Sequence, residues 1–252
     1  GRPGAEQGVV AAEQEPAHAL RLGIREHRLE GREVAMDVVE EAEHPPDIPS
    51  PAVADLEITG PALTLRYPLA ADAPALFRRG SDPEVTRFFS WGPYREVAEA
   101  DAYIESLPGR RAAGSLLDFA IVRDGEALGI TGLSELAARD RRATVGSWIG
   151  RPEWGTGVNA EAKALICALA FGPLGLERLT AYAGAGNDRS QAALAKIGFV
   201  REGRLRRFHR HGARVHDVAI FSLLRDEWAV SPLAAVPACI SGDVPVAFAA
   251  AP

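Results

Sequence analysis

The stretch from Trp154 to Ala162 constrains this chain more than any other. It reads Trp-Gly-Thr-Gly-Val-Asn-Ala-Glu-Ala, with Gly155 and Gly157 separated by one residue. A β-rich run, Thr144–Ile149, precedes it, and a run that favours helix, Ala160–Phe171, follows it. A glycine turn between a strand and a helix aims unpaired backbone N–H groups at one point and lets an anion approach closely. The stretch therefore predicts a phosphate-bearing ligand at the start of this helix.

The glycine pair matches neither of the two most familiar phosphate loops. No Gly-Lys-Ser or Gly-Lys-Thr follows, so it is not a P-loop, and Ala160 stands where the dinucleotide fingerprint has its third glycine. Taken alone, the pair is also compatible with an ordinary turn before a helix. The phosphate interpretation therefore depends on a second motif.

That second motif is Asn187-Asp188-Arg189-Ser190, which opens a predicted helix over Gln191–Lys196. Asn187 is a good N-cap residue, and capping alone would account for it. Ser190 comes one turn later, on about the same side of the helix start. The residues by themselves leave open whether this motif only caps the helix or also binds a ligand.

Two further segments complete the pattern. Ile197-Gly198-Phe199 is followed by Glu202-Gly203, and a closing segment extends from His216-Asp217-Val218 to Glu227-Trp228. Together with the glycine turn and the Asn187 motif, they resemble the GNAT superfamily of acetyl-CoA-dependent N-acetyltransferases. The resemblance is strongest to the branch that acetylates the N-termini of ribosomal proteins, with its small-molecule relatives, and it extends from about Ala62 to Trp228.

The apolar pattern predicts the order of the structural elements. The predicted strands are Leu63–Tyr67, Leu117–Val122, Ala127–Leu136, Thr144–Ile149, Arg178–Tyr182, and a final hairpin of Val200–His209 with Val215–Leu224. The predicted helices are Ala70–Arg79, Asp82–Phe88, Glu96–Leu107, Ala160–Phe171 and Gln191–Lys196. This order predicts an α+β fold with one twisted, mixed sheet. The resemblance implies the GNAT fold, with about seven strands flanked by helices.

Three regions are expected along the chain. Residues 1–60 form an N-terminal extension that ends in a Pro-rich linker, and residues 231–252 form a tail rich in Ala, Pro and Val. The resemblance places the acetyltransferase domain between them, at residues 61–230. We expect the tail to be weakly ordered.

The resemblance also implies how acetyl-CoA is held. The pantetheine arm lies between the fourth and fifth predicted strands, which are splayed apart. Asn187 and Ser190 contact the cofactor, and Ser190 matches the serine that donates a proton to the coenzyme thiolate. The tyrosine that many family members use for this task is Leu194 here. The pyrophosphate lies on the amides of Gly155, Thr156, Gly157, Val158 and Asn159.

The general base is the least determined role. Several relatives have a glutamate about where Thr144 stands. His209 falls near the register of an acidic residue in the last hairpin of the ribosomal enzymes, and an imidazole with a pKa of about 6.5 suits the task. The alternative is an exposed strand histidine, with His211 and Glu202 as reserve candidates. Gly146 marks a place where a β-bulge could aim an amide at the thioester oxygen.

The acceptor is expected to be a primary amine of a small molecule, a peptide or a protein N-terminus. Trp91 and Tyr94 lie in an aromatic-rich loop and are predicted either to bind this acceptor or to cap the core. The resemblance implies direct attack by the amine without an acyl-enzyme. Cys167, inside a predicted helix, is then no nucleophile. The alternative is a non-catalytic acyl-CoA-binding regulatory module, which the missing glutamate favours and which Asn187 and Ser190 oppose.

Composition excludes several other classes. The formal net charge of -6 argues against a general nucleic-acid binder, although the arginines from Arg201 to Arg214 leave ribosome-associated RNA binding as a weaker alternative. Cys167 and Cys239 show no CxxC or paired His/Cys spacing, so no metal site is predicted. No apolar run reaches the roughly 20 residues of a membrane helix, and no signal peptide is evident, so we expect a cytoplasmic location. The oligomeric state is left open, with a homodimer as one candidate.

Overall fold

Nine β-strands form one mixed sheet in the computed structural model of the protein, which describes residues 55–211 and 213–249. The strands are β1 (Glu57–Thr59), β2 (Thr64–Arg66), β3 (Leu116–Arg123), β4 (Glu126–Ala137), β5 (Arg142–Ile149), β6 (Arg178–Gly184), β7 (Val200–His211), β8 (Arg214–Leu224) and β9 (Cys239–Ser241). Their spatial order is β7-β8-β6-β5-β4-β3-β2-β1-β9. Within this sheet β5 and β6 are parallel neighbours, and the other neighbouring pairs are antiparallel. The predicted α+β fold with one mixed sheet is confirmed.

Helices cover both faces of the sheet. They are α1 (Ala73–Gly80), α2 (Pro83–Thr86), α3 (Val97–Ala112), α4 (Val158–Phe171), α5 (Asp188–Lys196) and α6 (Arg225–Ala229). On one face, Leu76 of α1 and Ile104 of α3 share a buried cluster with Trp148 of β5. On the other, Leu165 of α4 packs in a cluster with Val145 of β5. Successive side chains of β5 thus alternate between the two helix layers. None of the helices in residues 55–211 and 213–249 is long and apolar enough to cross a membrane.

Two short strands raise the strand count above the predicted seven. β1 precedes the boundary expected at residue 60, and β9 follows the boundary expected at residue 230. They pair with each other antiparallel, with Ile58 opposite Ile240, so the sheet continues past both predicted boundaries. Phe248 adds a fully buried ring, only 2% exposed, to the main core. The expectation of a weakly ordered tail is therefore wrong for residues 231–249, because this segment supplies a strand and a core side chain. Residues 1–54, most of the predicted extension and linker, lie outside the described residues.

The end of α3 also differs from its prediction. The sequence predicts a helix that ends at Leu107, but α3 continues through Pro108 to Ala112. Proline removes a single N–H donor and its fixed φ is compatible with helix. The turn that follows is exposed, and the Ala113 N–H still donates to the Gly109 carbonyl at 3.0 Å.

The point where β5 and β6 separate creates the main opening in the sheet. These strands pair only from Arg142 with Arg178 to Thr144 with Thr180. Beyond Thr144, β5 continues along β4 to Ile149, while β6 continues along β8 to Gly184. The predicted splaying of these two strands is confirmed. We call the space between β5 after Thr144 and β6 after Thr180 the cleft.

Candidate active site

The glycine turn opens directly onto α4. Gly157 is the N-cap of this helix, with φ 93°, and Gly155 has φ 80°. Both angles lie in the left-handed region that glycine adopts without strain. A Cβ at either position would meet no atom within 4 Å, so the space outside the turn is open. The first N–H groups of an α-helix, here those of Val158 and Asn159, have no carbonyl partner within the helix. The turn therefore presents free donors to an anion.

Trp154 connects the turn to the second motif. Its indole Nε1 donates to the Ile149 carbonyl at 3.0 Å, which fixes the ring at the end of β5. The Arg189 guanidinium stacks on this ring, with its central carbon 3.1 Å from the ring centroid. Burial lowers the pKa of Arg189, but a guanidinium stays charged at neutral pH. The structure thus adds a cation beside the predicted phosphate site that the sequence interpretation did not single out.

Asn187 caps α5, as one interpretation of the sequence predicted. Its Oδ1 accepts a hydrogen bond from the Ser190 N–H at 3.2 Å. Ser190 is half-buried in the first turn of the helix. Gln191 holds the same helix start to the end of β6, because its Nε2 donates to the carbonyls of Gly184 and Ala185 at 3.2 and 3.0 Å. Asn187 and Ser190 therefore lie where β6, one border of the cleft, leads into α5.

A buried polar chain links α4 to β5. Lys163 Nζ donates to Ser147 Oγ at 2.7 Å, and Ser147 Oγ donates to Asn159 Oδ1 at 3.3 Å. Only 3% of Lys163 is exposed, and burial lowers its pKa to about 8. The Asn159 side chain is thereby occupied with β5. The sequence signal for this series of hydrogen-bonded side chains was a single lysine inside an apolar helix.

We expect Lys163→Met to remove a pH dependence of stability. The lysine pKa is about 8 in the folded protein against the usual 10.5, so the unfolded chain binds more protons between these values. Wild-type stability should therefore rise relative to Lys163→Met as the pH increases from 8 to 10.5, by up to about 3 kcal/mol. Calorimetric melting of both proteins between pH 7 and 10 measures this, with the exposed Lys196→Met as the matched control. Parallel curves for wild type and Lys163→Met would contradict the expectation.

A carboxylate reaches Thr144 from the neighbouring strand. The register of β4 and β5 shifts between Ser134 and Ala137, where Glu135 has φ 50°. This bulge turns the Glu135 side chain toward β5, and its Oε2 accepts a hydrogen bond from Thr144 Oγ1 at 2.7 Å. The carboxylate that the sequence lacks at position 144 is thus supplied by residue 135. Sequence reasoning missed it because the two residues belong to different strands.

The bulge predicted at Gly146 is wrong. Gly146 pairs in regular register with Gly132 of β4, and the irregularity lies at Glu135 instead. Gly146 is nevertheless exposed within the sheet, and a Cβ there would meet nothing within 4 Å. Glycine at this position provides empty space beside the cleft rather than a change of register.

His209 joins a polar cluster where the cleft begins. Its ring centroid lies 6.4 Å from that of Tyr182, and its Cα pairs with that of His216. Burial lowers the pKa of His209, the charge of His216 lowers it further, and Glu135 opposes both. Burial and the charge of Glu135 raise the pKa of Tyr182, and the neighbouring Thr144 opposes this shift. We call Glu135, Thr144, Tyr182 and His209 the cleft cluster.

Asp217 fixes the strand that carries His209. The register of β7 and β8 shifts between Leu205 and His209, and Arg207 in this bulge has φ 55°. Asp217 accepts from the Arg207 N–H at 2.7 Å and from Arg204 Nε at 2.8 Å. This gives Asp217 of the closing segment a structural role, because it holds the bulge that precedes His209.

The reserve candidates for the base are already engaged elsewhere. Glu202 is ion-paired with Arg178 and accepts from Ser222 Oγ at 2.8 Å, and these contacts lower its pKa to about 2. Such a carboxylate is a weak proton acceptor at neutral pH. The His211 Nε2 lies 2.8 Å from the Gly92 carbonyl and ties the last hairpin to the aromatic loop.

The predicted acceptor residues lie on the α1–α3 face of the sheet. The Trp91 ring centroid is 5.1 Å from that of Tyr94 and 5.4 Å from that of Trp148. Both rings are partly buried against the cluster of α1, α3 and the sheet. Beside the end of β6, on the same side, a cavity of about 380 Å³ lies between Phe88 and His216. The loop that carries Trp91 and Tyr94 therefore packs on the core and also lies near the cleft.

Comparison with known proteins agrees with this geometry. Residues 62–200 match the model of the acetyltransferase (GNAT) domain family. The uncharacterized N-acetyltransferase p20 of Bacillus licheniformis is 32% identical over 169 residues, which cover 66% of this chain and 95% of p20. YdaF of Bacillus subtilis (strain 168), named as a ribosomal N-acetyltransferase, is 32% identical over 145 residues, 56% of this chain and 77% of YdaF.

A solved structure shows the same fold. Mycobacterium smegmatis RimJ in complex with CoA-disulfide superposes with a TM-score of 0.61 at 24% identity, over 72% of this chain and 90% of that one. With more than half of the chain matching the family model, the resemblance inferred from the motifs is confirmed. The chain belongs to the GNAT superfamily, and it is an acetyl-CoA-dependent N-acetyltransferase.

Proposed function

We propose that this protein acetylates a primary amine of a small molecule, a peptide or a protein N-terminus, by direct attack on the thioester of acetyl-CoA. The observation that carries the proposal is the open, left-handed glycine turn at Gly155 and Gly157, next to a cleft bordered by proton-accepting side chains. An anion site beside a gap in the sheet suits a long, phosphorylated thioester. Polar side chains where the gap begins suit chemistry on the acyl end of that thioester.

Acetyl-CoA binding is assigned to the turn and the cleft. The amides of Gly155, Gly157, Val158 and Asn159 bind the pyrophosphate. The fifth predicted amide, that of Thr156, already donates to the Glu153 carbonyl at 3.4 Å. Arg189, stacked on Trp154, adds positive charge beside it. The pantetheine arm occupies the cleft and reaches Asn187 and Ser190 at the start of α5. The free donors of the turn, its open exterior and the strand separation support this assignment.

The chemistry requires a base and a proton donor. An alkylamine with a pKa of about 10 is mostly ammonium at neutral pH, so it must lose protons to react. We assign proton acceptance to His209, whose lowered pKa keeps its imidazole neutral at pH 7. Ser190 donates a proton to the departing thiolate.

Two observations favour direct attack by the amine in an active enzyme. Cys167 is fully buried, and burial raises its pKa to about 12, so it is neither accessible nor ionised as a nucleophile. The hypothesis of a non-catalytic acyl-CoA module drew on the missing glutamate at Thr144. Glu135 supplies a carboxylate at that hydroxyl, which removes this argument.

Release of coenzyme A with a panel of primary amines tests the function. We expect wild type to release coenzyme A only when an amine is present. Ser190→Ala should lower kcat by about 100-fold, the usual size of a lost general acid, and raise the Kd of acetyl-CoA far less, because the glycine turn is untouched. Ser106→Ala, at an exposed serine of α3, is the matched control. Acetyl-CoA binding without release for any amine would refute the proposal.

A further inference from the structure

Two facing glycines leave a groove on the α1–α3 face of the sheet. Gly146 of β5 pairs with Gly132 of β4, and Gly132 pairs with Asp118 of β3. A Cβ on Gly132 would lie 1.9 Å from Asp118 Oδ1, so this carboxylate extends over β4 into space that any other residue would fill. Neighbouring strands lie about 4.8 Å apart, which brings the carboxylate within roughly one strand spacing of β5. It therefore faces the empty space over Gly146, beside the cleft.

The groove has defined walls. Trp148 lies two residues from Gly146 on the same face of β5, and Trp91 packs on its ring at 5.4 Å. Thr144, two residues away in the other direction, forms the opposite wall, and its hydroxyl carries the Glu135 carboxylate. We call the space bounded by Asp118, Gly146, Trp148 and Thr144 the amine groove. It leads from Asp118 to the cleft.

Asp118 is prepared to bind a cation at the closed end of this groove. Tyr103 of α3 donates its hydroxyl to Asp118 Oδ2 at 2.7 Å. Oδ1 accepts no hydrogen bond from the residues that the structure describes, and the residue is half-buried. Burial raises the pKa of Asp118 to about 6, against the opposing effects of Tyr103 and the positive charge of Arg110. A half-buried carboxylate with a free oxygen and aromatic rings nearby favours an ammonium ligand.

We propose that the amine groove is the acceptor site and that Asp118 Oδ1 binds the incoming ammonium and takes its first proton. This inference rests on the proposed function, and it adds the acceptor position and a second proton acceptor. Neither Asp118 nor the groove was singled out in the sequence, where residue 118 stands between apolar residues of a predicted strand.

The proton balance assigns a separate task to each group. One N–H proton of the ammonium passes to Asp118, and the nitrogen lone pair then forms the C–N bond at the thioester carbon. The second proton leaves the nitrogen for His209. The C–S bond breaks with its electron pair on sulfur, and the thiolate takes a proton from Ser190. The proton on His209 restores Ser190, and the proton on Asp118 returns to solvent.

Asp118→Asn tests the inference directly. Asparagine keeps the shape of the side chain and an oxygen for Tyr103, but it neither carries a charge nor accepts the proton. We expect kcat/KM for the best amine of the panel to fall by about 100-fold or more, the usual size of a lost base. The Kd of acetyl-CoA, measured by calorimetry, should stay within about twofold of wild type because the glycine turn is untouched.

Gly146→Ala is a second variant that does not depend on the charge. Its methyl group meets no protein atom within 4 Å, so the fold should tolerate it, but it enters the groove. We expect KM for the amine to rise about tenfold, as for one misplaced methyl group in a pocket. Gly109→Ala, whose Cβ also meets nothing within 4 Å on the exposed end of α3, is the matched control.

The outcomes separate the inference from the function beneath it. Loss of amine turnover in Asp118→Asn, a raised amine KM in Gly146→Ala and unchanged acetyl-CoA binding would support the groove. Amine kinetics within twofold of wild type in both folded variants would overturn it and leave the proposed function standing. A wild type that binds acetyl-CoA but releases no coenzyme A with any amine would overturn the proposed function and the inference together. If Asp118→Asn fails to fold, the amine KM of Gly146→Ala tests the inference by itself.

Discussion

Gly157→Ala is expected to abolish most acetyl-CoA binding. Its φ of 93° is unfavourable for any residue with a Cβ, so the turn must change shape when alanine is introduced. The amides at the start of α4 then no longer converge on the pyrophosphate. A charge-assisted hydrogen bond contributes about 1.5–3 kcal/mol, so misdirecting two of them should raise the Kd by about 100-fold or more. Calorimetric titration with acetyl-CoA measures this.

Gly125→Ala separates the strain from the ligand contact. Gly125 lies in the β3–β4 turn with φ 79°, and a Cβ there also meets nothing within 4 Å. Both variants introduce the same left-handed strain and should lose similar melting temperature. Only Gly157→Ala should lose affinity, because Gly125 lies in the β3–β4 turn and contributes no amide to the start of α4. An equal Kd in the two variants would mean that the turn does not hold the cofactor.

The parts of the site that the sequence predicted are those built from neighbouring residues. The turn at Gly155 and Gly157 depends on local backbone angles, and the cap at Asn187 depends on a side chain three residues from its donor. Such local geometry leaves a direct trace in the order of residues. The splaying of β5 and β6 came from the family resemblance, because local patterns do not encode where two strands separate.

The parts that were missed depend on contacts between distant segments. Glu135 reaches Thr144 through a bulge, and Asp118 extends over Gly132 from the next strand. β9 has only three residues, too few for a periodic pattern, and it pairs with β1 at Ile58, far earlier in the chain. In each case the defining neighbour lies across the sheet, and register cannot be read from one strand alone.

His209→Gln is expected to lower kcat by about 100-fold or more at pH 7, because glutamine offers no proton-accepting nitrogen. The residue lies in the cleft cluster, half-buried beside Tyr182. Its pKa is lowered, so the imidazole remains neutral to a lower pH than an ordinary histidine. Wild-type kcat should therefore hold constant from pH 8 downward and fall only below pH 6.5, the usual histidine value. Steady-state kinetics between pH 5 and 9 at saturating amine measures both expectations.

If His209 is the base, two neighbours should move the acid limb of the pH–rate profile, that is the fall in kcat at low pH, in opposite directions. Glu135 raises the pKa of His209, so Glu135→Gln should shift the limb to lower pH. His216 lowers the same pKa, so His216→Gln should shift the limb to higher pH. The pKa of Asp118 is raised by burial and lowered by Tyr103 and Arg110, and neither Glu135 nor His216 is among the groups that shift it. If the fall in kcat reports the titration of Asp118, neither variant should therefore move it. A limb that stays fixed in both variants but disappears in Asp118→Asn would therefore assign the observed titration to the amine groove and remove His209 from the role of base.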